Sequence, residues 1–221
     1  MRTIFLTDIH GHYHKAQKLL ESVNYTKDDL LILGGDYFDR GPEADLVAEW
    51  LTDIYNHPNV VLLRGNHELA LIRFLRRDWE HSVDAYIEIE HMIKNNGLDT
   101  TLTSLAKHKL DSYDILHKRI TQNHPELLSV LELTLWYYED CTSIYTHSTL
   151  PYNYTDENAD WERAVWADTL DWIESTKQTK KVYVGHFALS NIHADSPVEI
   201  NNVVLCDGSL AWDGEGCIIV K

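Results

Sequence analysis

Six short apolar runs in this chain each end abruptly in side chains that bind metals or move protons. Ile4-Phe5-Leu6 runs into Asp8 and His10, Leu30 to Leu33 into Asp36, Asp39 and Arg40, and Val60 to Leu63 into Arg64, Asn66, His67 and Glu68. Further on, Ile144-Tyr145-Thr146 precedes His147, Val182-Tyr183-Val184 precedes Gly185-His186, and Val203 to Cys206 precedes Asp207 and Gly208. Aliphatic runs of this length bounded by turn chemistry read as buried strands. Polar groups at the carboxyl ends of strands in an α/β sheet fall along one edge, where such folds build their sites. One junction of this kind is ordinary; six with Asp, Asn and His at the exits require a ligand to hold them together.

The connections between the early strands are helical. Ala16, Leu19, Leu20 and Val23 recur at helical spacing, as do Leu46, Val47, Trp50, Leu51 and Ile54 after Pro42, which suits a first helical position. Glu68 to Arg77 continues the pattern, so the first third reads β-α-β-α-β-α with a sheet at least partly parallel. From about residue 79 to 133 strand signals give way to helical ones. Tyr86, Ile89, Met92 and Ile93 share a face that ends near Asn95-Asn96-Gly97, and further helices are expected at roughly 99–107, 110–122 and 125–132. With no linker on either side, this stretch reads as a helical insertion beside the site, in a single domain of residues 1–221. Strand character returns at Leu135 to Tyr138 and continues to Val220.

The formal charge is −16, from 19 Lys and Arg against 35 Asp and Glu. This balance disfavours binding to a nucleic acid duplex or an anionic membrane, so a phosphate must be attracted by local cations. No window approaches membrane-spanning length, Ile4-Phe5-Leu6 is too short for a signal-peptide core, and three cysteines without metal-site spacing suit a reduced, cytoplasmic setting.

The central loop, Gly35 to Pro42, puts two carboxylates and an arginine between glycines, a mixture that an apolar core has no use for. The exits Asp8, His10, Asp36, Asn66, His147 and His186 combine carboxylate, imidazole and amide oxygen, donors suited to Mn²⁺, Fe or Zn²⁺. Asp8 and His10 can turn toward one ion, Asp36 is the natural bridge, and Asn66, His147 and His186 can complete a second ion. Two divalent ions about 3.5–4 Å apart polarise a phosphoryl oxygen and turn a shared water into a hydroxide nucleophile. His67 projects into the same pocket without sharing an ion. Paired with Asp39 it makes an imidazole–carboxylate dyad able to protonate a leaving alkoxide, the alternative being a helix-capping histidine. Arg40 is the candidate phosphate fork, the alternative being a structural ion pair.

These blocks resemble the metallophosphoesterases of the serine/threonine phosphoprotein phosphatase family, most like its small bacterial and phage members such as lambda phosphatase, and diadenosine tetraphosphatase. The family pattern G-D-x-H-G, G-D-x-x-D-R-G, G-N-H-E and two separate histidines stands here as Thr7 to Gly11, Gly35 to Gly41, Gly65 to Glu68, His147 and Gly185-His186. Softer likenesses lie at Asn96-Gly97 with Thr101-Leu102 and at Tyr137-Tyr138-Glu139. The resemblance implies an α/β fold of two packed mixed sheets flanked by helices (the calcineurin-like sandwich). It also implies a dinuclear centre, usually supported by manganese, and direct hydrolysis by metal-bound water without a phosphoenzyme.

Thr7 replaces the first glycine, and His147-Ser148-Thr149 stands where the family usually has H-A-G or H-A-D. Trp166-Ala167-Asp168 falls where bacterial relatives carry W-x-R, so a second phosphate-clamping arginine is expected to have become Asp168, with Arg163 as a weak substitute. The leading expectation is a phosphatase acting on phosphomonoesters, protein Ser/Thr phosphate or small phosphoesters, with Asn66 and Arg40 on the substrate and His67 as general acid. The alternative is hydrolysis of a nucleotide phosphodiester or phosphoanhydride, such as diadenosine tetraphosphate or a cyclic nucleotide. A third reading is an acidic interaction module that keeps metal for structure alone.

Overall fold

The computed structural model describes residues 1–167, 169–175, 178–212 and 214–221, so the expectation about Asp168 lies outside the described residues. Two mixed sheets organise the chain. In the first, β1 (Thr3–Leu6), β2 (Leu30–Leu33) and β3 (Val60–Leu62) run parallel in the order β3-β2-β1, and β9 (Ile218–Val220) pairs antiparallel with β1. In the second, β4 (Tyr137–Glu139), β5 (Ser143–Thr146), β6 (Lys181–Val184), β7 (Val198–Ile200) and β8 (Val203–Leu205) lie in the order β4-β5-β6-β8-β7. There β5, β6 and β8 are parallel, and the edge strands β4 and β7 are antiparallel.

The unbroken apolar strands make sense because both faces of each sheet are covered. Side chains alternate along a strand, so each run feeds two cores. Phe5, Leu30, Ile32, Tyr145, Tyr183 and Val204 meet between the two sheets. Ile4, Leu6, Leu31 and Leu33 point the other way, into the helical layer of the first sheet, and Ile144, Val182, Val184, Val203 and Leu205 line the outer face of the second. In the inter-sheet layer the Phe5 ring lies 5.4 Å from Tyr145, which stacks on Tyr183 at 5.1 Å. Such ring pairs are worth about 0.5–1.5 kcal/mol beyond the area they bury.

Helices α1 (Tyr13–Ser22), α2 (Ala44–Ile54) and α3 (Asn66–Leu75) follow the first three strands. The expected insertion forms α4 (Val83–His91), a π-helical turn at Met92–Asn96, α5 (Leu98–Ala106), α6 (Tyr113–Asn123) and α7 (Leu127–Glu132). Met92, Leu98, Leu102, Leu116 and Ile120 bury against the same core as Leu51 and Phe74, which fastens these helices to the first sheet. Short α8 (Trp161–Ala164) and α9 (Trp172–Ser175) precede β6.

Three local expectations shift. Pro42 does not start a helix, because α2 begins at Ala44 after Glu43. The helix expected from 110 starts only at Tyr113, with Ser112 before it. Ile89 on α4 and Met92 in the turn after it are fully buried but Tyr86 on α4 is half-exposed, its ring turned toward Tyr113 on α6 at 6.2 Å instead of into the core.

Candidate metal centre

All six apolar runs deliver their polar exits as the strand topology demands. Asp8, Asp36 and Asn66 follow β1, β2 and β3, and His147, His186 and Asp207 follow β5, β6 and β8, at the carboxyl ends of strands parallel within each sheet. Asp8, His10, Asp36, Asp39, Asn66, His67 and His147 are all buried, as is Asp207. The backbone is bent hard to aim them. Asp8, His10, Asp36, Asp39, Arg40 and His186 all have φ between 45° and 71°, the left-handed region that non-glycine residues avoid. Residues held there cost on the order of 1 kcal/mol or more each, and persist where the surrounding contacts over-determine them.

Asp36 is the hub. Its carboxylate belongs to two groups of donor atoms, one with His10 and His67 and one with His147 and His186, and within each group the atoms lie within 4.8 Å of one another. In the second group His147 Nδ1 sits 3.0 Å from the Gly34 carbonyl oxygen, which only an N–H can satisfy, so Nε2 presents a bare lone pair. That lone pair faces Asp36 Oδ1 at 3.2 Å, Asn66 Oδ1 at 3.1 Å and His186 Nδ1 at 3.1 Å. The His147 Nε2 lone pair can accept one proton at most, from the Asp36 carboxyl or from His186 Nδ1, whereas a cation can be shared by all four atoms. In the first group His10 Nδ1 bonds the Phe38 carbonyl oxygen at 2.9 Å, which leaves Nε2 as an acceptor 3.6 Å from Asp36 Oδ2 and 3.0 Å from Arg40 Nη1. The donor set therefore fits divalent cations on either side of Asp36.

Two residues sit differently from the expected partition. Asp8 belongs to neither group: its carboxylate accepts the His186 backbone N–H at 3.0 Å and the Thr7 hydroxyl at 2.6 Å. This contact explains Gly185, where an added Cβ would stand 2.0 Å from Asp8 Oδ2. His67, expected to stay clear of the ions, brings Nε2 to 3.6 Å from Asp36 Oδ2, the same separation as His10. Its Nδ1 lies 2.6 Å from Asp39 Oδ2, so the expected dyad is formed.

Burial dominates the electrostatics. It pushes the Asp8 and Asp36 carboxyls well above the usual carboxylate range and holds the imidazoles of His10, His67 and His147 well below theirs. Burial likewise pushes Asp39 up to about 7, Glu68 to about 7 and Asp207 to about 6. The Asp39–His67 shifts agree in sense: without a neighbouring cation the dyad is driven toward its neutral form.

Several functional contacts have no counterpart among the expected site residues. The Glu68 carboxylate accepts three backbone N–H groups, from Asp36 at 2.7 Å, Tyr37 at 2.8 Å and Gly65 at 2.9 Å, and so ties the central loop to the start of α3. A glutamate three places after a glycine at a helix start is a local signal for that role. The Thr101 hydroxyl on α5 donates to Asp39 Oδ1 at 2.6 Å and accepts the Asp39 N–H at 2.7 Å. The Trp212 ring lies 4.9 Å from the Arg40 guanidinium carbon. Neither Thr101 nor Trp212 is near its partner in the chain; Thr101 falls in the softer family likeness at Asn96-Gly97 and Thr101-Leu102, and no spacing rule points to Trp212.

A family model for calcineurin-like phosphoesterases matches residues 1–208. A symmetrical bis(5'-nucleosyl)-tetraphosphatase of Buchnera aphidicola subsp. Baizongia pistaciae is 30% identical over 125 residues, 56% of this chain and 43% of that protein. One of Erwinia tasmaniensis is 40% identical over 73 residues, 33% of this chain and 26% of that protein. The chain thus spans less than half the length of these curated relatives. Among solved structures, a candidate diadenosine tetraphosphatase superposes with a TM-score of 0.62 at 17% identity, over 100% of this chain and 92% of that one. The cold-active protein-tyrosine phosphatase of a Shewanella species gives 0.61 at 16% identity, over 99% and 74%. At these identities the superpositions speak for the fold, and they agree with the paired mixed sheets. The chain belongs to the calcineurin-like phosphoesterases, whose reaction class is metal-dependent hydrolysis of a phosphoester.

Proposed function

We propose that this chain hydrolyses a phosphoanhydride bond of a nucleoside polyphosphate, with a symmetrical dinucleoside tetraphosphate as the substrate class. The observation that carries the reaction class is the single carboxylate, Asp36, common to two donor groups with Arg40 beside them. The substrate class is supported by the symmetrical tetraphosphatases among the curated relatives, and it takes precedence over the phosphomonoester reading that the sequence alone put first.

In this reading the residues around Asp36 would hold two divalent ions, manganese first with iron or zinc as alternatives. His10 and Asp36, with Asp8 turned from the His186 N–H toward them, would hold one ion; Asp36, Asn66, His147 and His186 would hold the other. Ions bound there supply Lewis-acid polarisation of a phosphoryl oxygen and lower the pKa of water. Arg40 takes phosphate oxygens in a two-pronged contact, for which a guanidinium is shaped. Asn66 and His67 open α3, so the positive end of that helix also faces the anion. With Nδ1 bound to Asp39, the proton that His67 can donate sits on Nε2, the nitrogen turned toward Asp36. The same dyad favours a second reading, a phosphomonoesterase, because an alkoxide leaves only with a proton whereas a nucleoside diphosphate departs as a stable anion.

Comparing initial rates of the Mn²⁺-loaded protein on diadenosine tetraphosphate and on p-nitrophenyl phosphate separates the two. The proposal expects the higher kcat/KM on the tetraphosphate, with ADP as the sole product. A higher kcat/KM on the monoester, or cleavage to ATP and AMP, overturns it.

A further inference from the structure

We propose that Trp212 forms a nucleobase-stacking subsite at the rim of the candidate metal centre. One face of its indole backs Arg40, and the other receives the base of a nucleotide whose phosphate is held at the centre. This deepens the nucleoside-polyphosphate reading above and rests on it for the substrate class.

Trp212 ends a short turn, Leu210–Trp212, between β8 and β9. The turn is pinned from below: Leu210 is buried, and the Trp212 N–H donates to the Ser209 carbonyl at 2.9 Å. Yet Trp212 is 59% exposed, the one exposed residue among the chain's seven tryptophans, all of which are described. Arg40 packs over the ring, 4.9 Å from guanidinium carbon to ring centroid, and more than half of the residue's surface still meets solvent. Arg40 Nη1 in turn lies 3.0 Å from His10 Nε2, inside the first donor group. A phosphate gripped by Arg40 is therefore one guanidinium away from the ring, and whatever the phosphate carries emerges beside it.

Backing Arg40 does not by itself call for so large an exposed ring, since a cation over an exposed aromatic is worth only about 0.5–1 kcal/mol. A flat apolar face next to an anion grip matches a ligand that is anionic at one end and aromatic at the other. Stacking also adds affinity without adding cations, which suits a chain of net charge −16 that must bind a polyanion.

The test compares the holoprotein's affinity for ADP with its affinity for inorganic pyrophosphate, by isothermal titration calorimetry in Mn²⁺, for wild type, Trp212→Ala and Trp212→Phe. Losing the support under Arg40 weakens both ligands by the same factor and cancels in the ratio. Losing a stacked base does not cancel. Trp212→Ala is expected to reduce the preference for ADP over pyrophosphate by about 5- to 150-fold, the range that alanine substitution of a base-stacking aromatic produces. Trp212→Phe is expected to restore most of it. An unchanged ratio in Trp212→Ala overturns the subsite and leaves Trp212 a support for Arg40 alone. If the ratio shifts in a protein that fails to cleave diadenosine tetraphosphate, the subsite stands and only the reaction assigned above falls.

Discussion

Replacing Thr101 by valine isolates the contact that sets Asp39. Valine has nearly the shape of threonine, so the packing of α5 is kept while the hydroxyl is removed. Two bonds are lost, the one donated to Asp39 Oδ1 at 2.6 Å and the one accepted from the Asp39 N–H at 2.7 Å. Thr101 and Asp39 are both fully buried, so water cannot take the hydroxyl's place. A buried donor or acceptor left unpaired costs about 1–3 kcal/mol, and two of them about 2–6 kcal/mol. At an m value of about 2 kcal/mol/M this lowers the urea midpoint by about 1–3 M. The functional consequence passes through His67. Asp39 held less firmly orients the imidazole less well, and a positioned general acid is worth about 10²–10⁴ in rate where the leaving group needs a proton. The Thr101→Val protein should therefore lose more rate on an alkyl phosphate than on p-nitrophenyl phosphate, whose leaving group departs unaided. An unchanged midpoint, or equal losses on the two esters, would refute the assignment of Thr101 as the residue that positions the dyad.

Asp36→Asn removes the one carboxylate common to both donor groups, so manganese bound per chain, measured by elemental analysis after gel filtration, should fall from about two to below one; His186→Ala should fall only toward one. Full retention of metal by Asp36→Asn would contradict the shared-ligand geometry. Far from the site, the Arg2 side chain hydrogen-bonds Asp29 at 2.7 and 2.9 Å and, with the Thr26 N–H, holds its carboxyl well below the usual carboxylate range. A depressed folded pKa contributes stability above the unfolded value, about 3.9, that is lost as pH falls through the folded one. The loss of stability in Arg2→Ala should hence be constant from neutral pH to about 5 and shrink only below about 4; urea midpoints showing it vanish near pH 6 would exclude this pair as the cause.

The sheets were legible because the strand runs are apolar on both faces, and a chain buries such runs only with cover on each side. The loop blocks were legible because the centre is assembled mostly from residues adjacent in the chain: Asp36, Asp39 and Arg40 share one loop, and Asn66, His67 and Glu68 open one helix. The insertion's helices were readable from periodicity, but their ends were not. At Tyr86 periodicity failed because the neighbouring α6, not the pattern along α4, decides which side chain finds a partner.

By itself the sequence determined which atoms could meet a cation or a phosphate, since those are properties of side chains at strand exits. Only the tertiary structure decided what those atoms do to one another. It turned Asp8 onto the His186 N–H and brought His67 as near to Asp36 as His10. It set Thr101 under Asp39 and laid Trp212 against Arg40. Those pairings join segments far apart in the chain. The local free energies that leave a mark on spacing and composition carry no record of which distant surface will arrive to complete a contact.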